Sequence, residues 1–255
     1  MASLPFANLE IEMNLFAQYR DAPNLPNADF EYHLRRLRPV IDALASQDAM
    51  LKEWYLQSVS TEEALQHRIY GDDHQPLPTT IDEMIKEYKD KSRDDTKSIG
   101  IWNGATQKDG ASFMISIDGG DNFSQQFDLN VKERSNSQSR IGDYRSVAGI
   151  VEMVVEIYDP SYVIFGPRKY FTNSVFDNRP GVSWMLYLPH ALTPDHVPEA
   201  RALIPVMRED KQQGTIIVSV TDDVFDVNNR DHVRAANDIE IRLADQDLLP
   251  RFVDL

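Results

Sequence analysis

Residues 98–120, SIGIWNGATQKDGASFMISIDGG, constrain the fold more than any other stretch. Ile99 and Ile101 alternate with Ser98 and Gly100. Phe113, Ile115 and Ile117 alternate with Ser112, Met114 and Ser116. Period-two alternation gives a strand one face for a core and another for water or a partner. Asn103-Gly104 and Asp109-Gly110 lie between the two runs, and Asn, Asp and Gly tolerate the positive φ of turns. The segment therefore predicts a hairpin. It carries no residue set that does chemistry.

The same reading extends along the chain. Leu9–Tyr19 alternates and predicts a first strand. Phe30, Leu34, Leu37, Ile41 and Leu44 fall on one face of an amphipathic helix, which makes them core residues. Pro39 lies inside that helix and is expected to kink or divide it near Arg38. Ser60 and Glu63 have the spacing of a capping box, so a short helix is expected over 61–67. Residues 71–80 read as a loop and 81–88 as a helix. Residues 122–131 read as a third strand, and the polar run 135–140 as a mobile connector. Val147, Val151, Val154 and Tyr158 mark a second long helix, stopped by Asp159-Pro160. Residues 162–165, 183–188 and 215–220 are strands, and 230–249 is a final helix capped by Asn228 or Asn229. Strands occur both in hairpins and between helices. The expectation is an α+β fold, with a mixed or antiparallel sheet and amphipathic helices packed on one face. Its 255 residues fit one domain over 1–255, or two α+β halves at about 1–135 and 141–255.

Composition excludes several functions. The formal net charge is −15, a field that repels nucleic acid and anionic membranes and attracts basic partners. Cysteine is absent, so disulfides, thiolate metal sites and cysteine nucleophiles are ruled out. No apolar run approaches a membrane span, and residues 1–13 lack the basic and apolar regions of a secretory signal. A cytoplasmic protein is expected.

A search for catalytic groups finds none. His33, His67, His74, His190, His196 and His232 have no tight ligand spacing, and His190 and His196 read as solvated loop residues. Asp222, Asp223, Asp226, Asn228, Asn229 and Asp231 concentrate oxygen ligands. Counted from Asp222, however, the sixth and twelfth places hold Val227 and Val233, where a calcium loop needs Gly and Glu. The segment reads as a turn entering a helix, or as an acidic contact surface, the latter preferred. Glu87 and Lys89 have a nuclease-like spacing but lie in a helical segment. No phosphate loop, nucleophile elbow or dinucleotide fingerprint is present. Neither a metal nor a cofactor is expected. Trp102 and Trp184 read as packing residues in strands, with an exposed binding anchor as the alternative.

The wording of four segments resembles the immunity protein 52 family of bacterial polymorphic toxin systems. They are Ser98–Gly104 followed by Asp109-Gly110-Ala111-Ser112; the N-terminal strand leading into an amphipathic helix; Ile157-Tyr158-Asp159-Pro160-Ser161-Tyr162; and Arg179-Pro180-Gly181-Val182-Ser183-Trp184-Met185-Leu186-Tyr187-Leu188. The resemblance spans roughly residues 8–249, and these are packing and turn patterns. Pro39 in the first helix and Tyr158, where Trp is more usual, depart from the family pattern. The resemblance implies a cytoplasmic, non-enzymatic antidote that binds a cognate toxin. Such toxins are often restriction-endonuclease-like nucleases, in some cases delivered by type VI secretion.

Charge and resemblance meet at this point. A nuclease presents a basic groove to phosphates, and carboxylates can cover that groove in competition with nucleic acid. Asp118, Asp121, Asp222, Asp223 and Asp226 flank strand ends and loops, and are the residues expected to contact the toxin. A carboxylate-based hydrolase and an acidic scaffold are the competing readings. The hydrolase would need a deep pocket holding acids of strongly perturbed pKa.

Overall fold

The alternation at the N-terminus becomes β1 (Ile11–Tyr19), which buries Met13, Leu15, Ala17 and Tyr19 on one face. The computed structural model describes residues 11–21, 29–91, 95–117, 124–135 and 137–255. In chain order β1 is followed by α1 (Phe30–Gln47), β2 (Tyr55–Leu56), α2 (Thr61–Ala64), α3 (Pro78–Glu87), β3 (Lys97–Trp102), β4 (Ala111–Ile117) and β5 (Gln125–Glu133). Next come α4 (Tyr144–Tyr158), β6 (Tyr162–Pro167), β7 (Met185–Leu188), β8 (Ala202–Arg208), β9 (Lys211–Val218) and α5 (Arg230–Asp245). The strands form one sheet in the order β2-β3-β4-β5-β1-β6-β7-β9-β8, and the pairings are antiparallel. The fold class is α+β, as expected, and antiparallel is the alternative realised.

The expected hairpin is β3–β4, in register from Lys97 opposite Ile117 to Trp102 opposite Ser112. Its connecting loop explains the Trp102-Asn103-Gly104 wording. The buried Asn103 side chain accepts from Ala111 N–H (2.8 Å) and donates to the carbonyls of Asp109 (2.9 Å) and Met50 (3.0 Å). Trp102 Nε1 donates to the Ala105 carbonyl. Gly104 has φ +75°, and a Cβ there would meet the Tyr55 ring at 2.9 Å. The segment Ile157-Tyr158-Asp159-Pro160-Ser161-Tyr162 is also a packing device. Asp159 adopts φ +47° and caps α4, its N–H donating to Val155. Tyr158 packs against Tyr19 and Phe127, with the Arg36 guanidinium 4.2 Å from its ring centroid. Arg36 also donates to the Ile157 carbonyl, an acceptor that the end of α4 leaves open.

Four expectations need correction. α1 runs unbroken through Pro39, so it is not divided there; the residue sits on the exposed side. The 71–80 loop ends at Leu77, because Pro78 opens α3 at a position where proline's missing N–H costs nothing. The run 135–140 is not a loose connector throughout. Ser139 and Arg140 are buried, with Ser139 Oγ donating to Glu133 and Arg140 Nε donating to Asp48 (2.7 Å). β2 and the edge strand β8 were not anticipated.

Candidate partner-binding face

The register assigns residues to faces. One face of the sheet carries Met13, Leu15, Ala17 and Tyr19 of β1 with Phe113, Ile115, Phe127 and Leu129 of β4 and β5. It is buried beneath α1 and α4. The opposite face can be followed across the sheet as cross-strand rows. One row runs Gly100, Met114, Asp128, Phe16, Ile164, Leu186, Ile217, Leu203. Leu186 and Ile217 in that row are fully buried, whereas Phe16 and Asp128 are half-exposed and Met114 is exposed. This second face is therefore covered over β7 and β9 and open over β3, β4, β5 and β1.

Segment 168–183 and α5 form the step between the two regions. Glu240 of α5 is 1% exposed and accepts from Tyr170 Oη (2.6 Å), Val175 N–H (2.7 Å) and Val182 N–H (2.9 Å). Burial pushes its carboxyl above the usual range, against these three bonds. The carboxylate pins an irregular segment whose backbone would otherwise lack partners. Along the step runs a groove of about 270 Å³, lined among others by Phe16, Tyr162, Ile164, Phe171, Phe252 and Ser183. Arg168 and Arg179 also line it. Phe171 is 73% exposed.

The open face itself is polar, with scattered apolar groups. Asn14 Nδ2 donates to Asp128 (2.6 Å) and Asn130 (3.0 Å), Asn130 Nδ2 donates to Asp128 (2.9 Å), and Arg168 Nη1 donates to Asn130 Oδ1 (2.9 Å). Ser98, Ser112, Ser116, Gln126 and Gln18 fill other outward positions. Trp102 is half-buried at its margin, beside a cavity of about 360 Å³ with Glu12, Asn130 and Lys132. A sheet face presenting ordered amides, hydroxyls and a few large apolar groups can bind another protein by shape and hydrogen bonding. Aromatic residues at outward positions of alternating strands, Phe16 and Trp102, are the signal by which it could have been found.

The acidic contacts expected from the sequence fall in two places. Asp118 and Asp121 lie outside the described residues. Asp222 and Asp223 are exposed in the turn before α5, and Asp226 is half-buried, accepting from Asn228 N–H and Nδ2 at 2.9 Å each. Asn229 caps α5. The segment is thus a helix-entry turn. Phe225 packs edge-on against Tyr170 (5.4 Å), which places this acidic turn beside the segment bounding the groove. His190 and His196 are exposed, with His196 Nδ1 accepting from Thr193 N–H. Trp184 is buried and donates to the Val220 carbonyl, so it packs rather than binds. Among the described residues no group of three or more His, Asp or Glu is placed to hold a metal ion. Among the same residues, no helix is long and apolar enough to cross a membrane.

The family model described as immunity protein 52 matches residues 27–251. No curated protein matches the chain. Among solved structures, a Pseudomonas aeruginosa T6SS protein superposes with a TM-score of 0.50 at 12% identity, covering 90% of this chain and 76% of the other. At that identity the likeness concerns the fold alone.

Proposed function

Because the chain belongs to the immunity protein 52 family, we propose that it neutralises a cognate toxin by binding it with the open half of the sheet face, its groove and the neighbouring acidic turn. Family membership over residues 27–251 is the observation that carries this reading. The toxin we propose is a nuclease with a basic substrate groove, acting in the cytoplasm of the cell that makes the antidote. An effector delivered by type VI secretion is the first to test. The protein's net charge of −15 attracts such a partner, and a bound antidote excludes nucleic acid from the groove. Asp118, Asp121, Asp222, Asp223 and Asp226 are proposed as the steering carboxylates.

No catalytic role is proposed. The buried carboxyls that burial pushes up, Glu133 and Glu240, are committed to donors of the fold. Glu133 accepts from Ser139 Oγ (2.5 Å) and Arg140 N–H (2.8 Å).

The test is co-expression with candidate nuclease toxins of the organism that makes this protein. Growth should be rescued, and a stoichiometric complex should be recovered. Charge reversal at Asp222 and Asp223 should slow association without altering the fold, because both carboxylates are exposed. Failure of the wild-type chain to bind or rescue would sink the immunity reading. Unchanged toxin binding with all five acids reversed would remove only the steering role.

A further inference from the structure

The groove at the step is chemically unlike the rest of the molecule. Its floor and walls are Phe16, Ile164, Tyr162, Phe171 and Phe252, an apolar slot in a chain of net charge −15. Phe171 contributes little to the core at 73% exposure, yet it stands at the rim where a partner would cover it. Two guanidinium groups line the same slot. Arg168 uses Nη1 toward Asn130, with Glu12 at 3.6 Å, and its side chain remains 59% exposed. Arg179 donates Nη1 to the Leu249 carbonyl and lies over the Phe176 ring, leaving the rest of its fork open. Ser183 supplies an independent observation. It is 2% exposed and held at φ +51°, a conformation serine rarely adopts, and its Oγ has no hydrogen-bond partner. A buried hydroxyl without a partner at the groove wall needs an explanation, and a polar group entering the groove supplies one.

Resting on the toxin-binding reading, we propose that the groove receives an apolar side chain of the toxin whose adjacent carboxylate is met by Arg168 and Arg179, with Ser183 Oγ bonding the inserted segment. The volume of about 270 Å³ suits one or two large side chains rather than a folded element. The long-range field of the protein repels a carboxylate. Guanidinium–carboxylate bonds, however, act within a few ångströms, well inside the screening length, and their fork geometry fixes register. The acids then bring a basic toxin in, and this slot reads a local acidic–apolar feature on it. That division of labour gives specificity among toxins of similar charge.

The experiment uses the full chain and the toxin that it neutralises in the co-expression test. Titration calorimetry should show Phe171→Ala and Arg168→Glu each weakening binding about ten-fold or more. Ser183→Gly keeps the left-handed backbone, removes the hydroxyl and should weaken binding by a smaller factor. Val59→Ala, fully exposed and not among the groove residues, is the control. Thermal melts confirm that each variant is folded. A photoreactive phenylalanine analogue at position 171 should crosslink to a toxin residue close to an Asp, a Glu or the C-terminal carboxylate. Wild-type binding with groove variants within two-fold overturns the proposal while leaving the immunity reading intact, as does a crosslink to a basic stretch of the toxin. A crosslink between two copies of this chain overturns it in favour of self-association. Absence of wild-type binding overturns both.

Discussion

At Glu240 a buried carboxylate answers two backbone N–H groups and a tyrosine hydroxyl. Glu240→Ala strands all three donors and should cost about 3 kcal/mol in urea unfolding. Glu240→Gln keeps an acceptor and should cost less. Burial raises this carboxyl, so the folded state holds the proton more tightly than the unfolded chain. Its contribution is full below the usual carboxylate range and is lost as pH rises through the raised pKa. Asp48 behaves oppositely. Burial pushes it up, but the bonds from Arg140 and the Met50 N–H, with the charges of Arg140 and Arg134, outweigh that and hold it low. Its contribution is present above the ordinary value and lost on acidification. His33 is 1% exposed with neither ring nitrogen bonded, and burial lowers its pKa. The unfolded chain therefore takes up this proton first as pH falls through the ordinary value of 6.5, and stability drops. His33→Phe should remove that part of the acid slope at little cost at neutral pH; urea midpoints between about pH 7 and about pH 5 test it.

Among the elements, α1 was read from its apolar spacing, and each of its five anticipated residues is buried. Local chemistry predicts a kink or a division at Pro39, and α1 is not divided there. Burial of one continuous face outweighs one lost backbone bond on the solvent side. The proline should still carry a local cost, so Pro39→Ala should stabilise by about 1–3 kcal/mol, read as a higher melting temperature. β8 was illegible because Pro205 interrupts it, and proline is tolerated where β8 lies, at a sheet edge. The 135–140 run looked solvated because its partners, Asp48 and Glu133, come from other elements. The open face was half legible: alternation shows that β1, β3, β4 and β5 each have an outward side, but not that β7 and β9 lose theirs. The step between them depends on Gly166, where a Cβ would meet Ser183 Oγ and lie 2.9 Å from Trp184 N. Gly166→Ala should destabilise by about 1–3 kcal/mol and distort the groove, a loss visible in both unfolding and toxin affinity.

For the whole molecule, β1 pairs with β5 on one side and β6 on the other, tying the earlier and later parts of the chain through one central strand. We expect a single cooperative transition. Trp54, followed in a Trp102→Phe/Trp184→Phe background, and Trp184, followed in a Trp54→Phe/Trp102→Phe background, should report the same urea midpoint; separate midpoints would show two independently unfolding halves. The net charge acts at this scale too. Association with a basic toxin should slow about ten-fold or more between about 20 mM and about 500 mM salt, whereas dissociation from the apolar groove should change little.

The sequence alone determined the local elements and the buried stripe of each, because alternation, helical spacing and turn residues act over a few neighbouring positions. It also settled the sign of the long-range field, which is a property of composition. Only the tertiary structure decided which strand faces stay open, because that depends on where distant segments come to rest. The buried Glu240 carboxylate on α5 pins segment 168–183, and Gly166 leaves room for it against β6. The groove exists because that cover stops there.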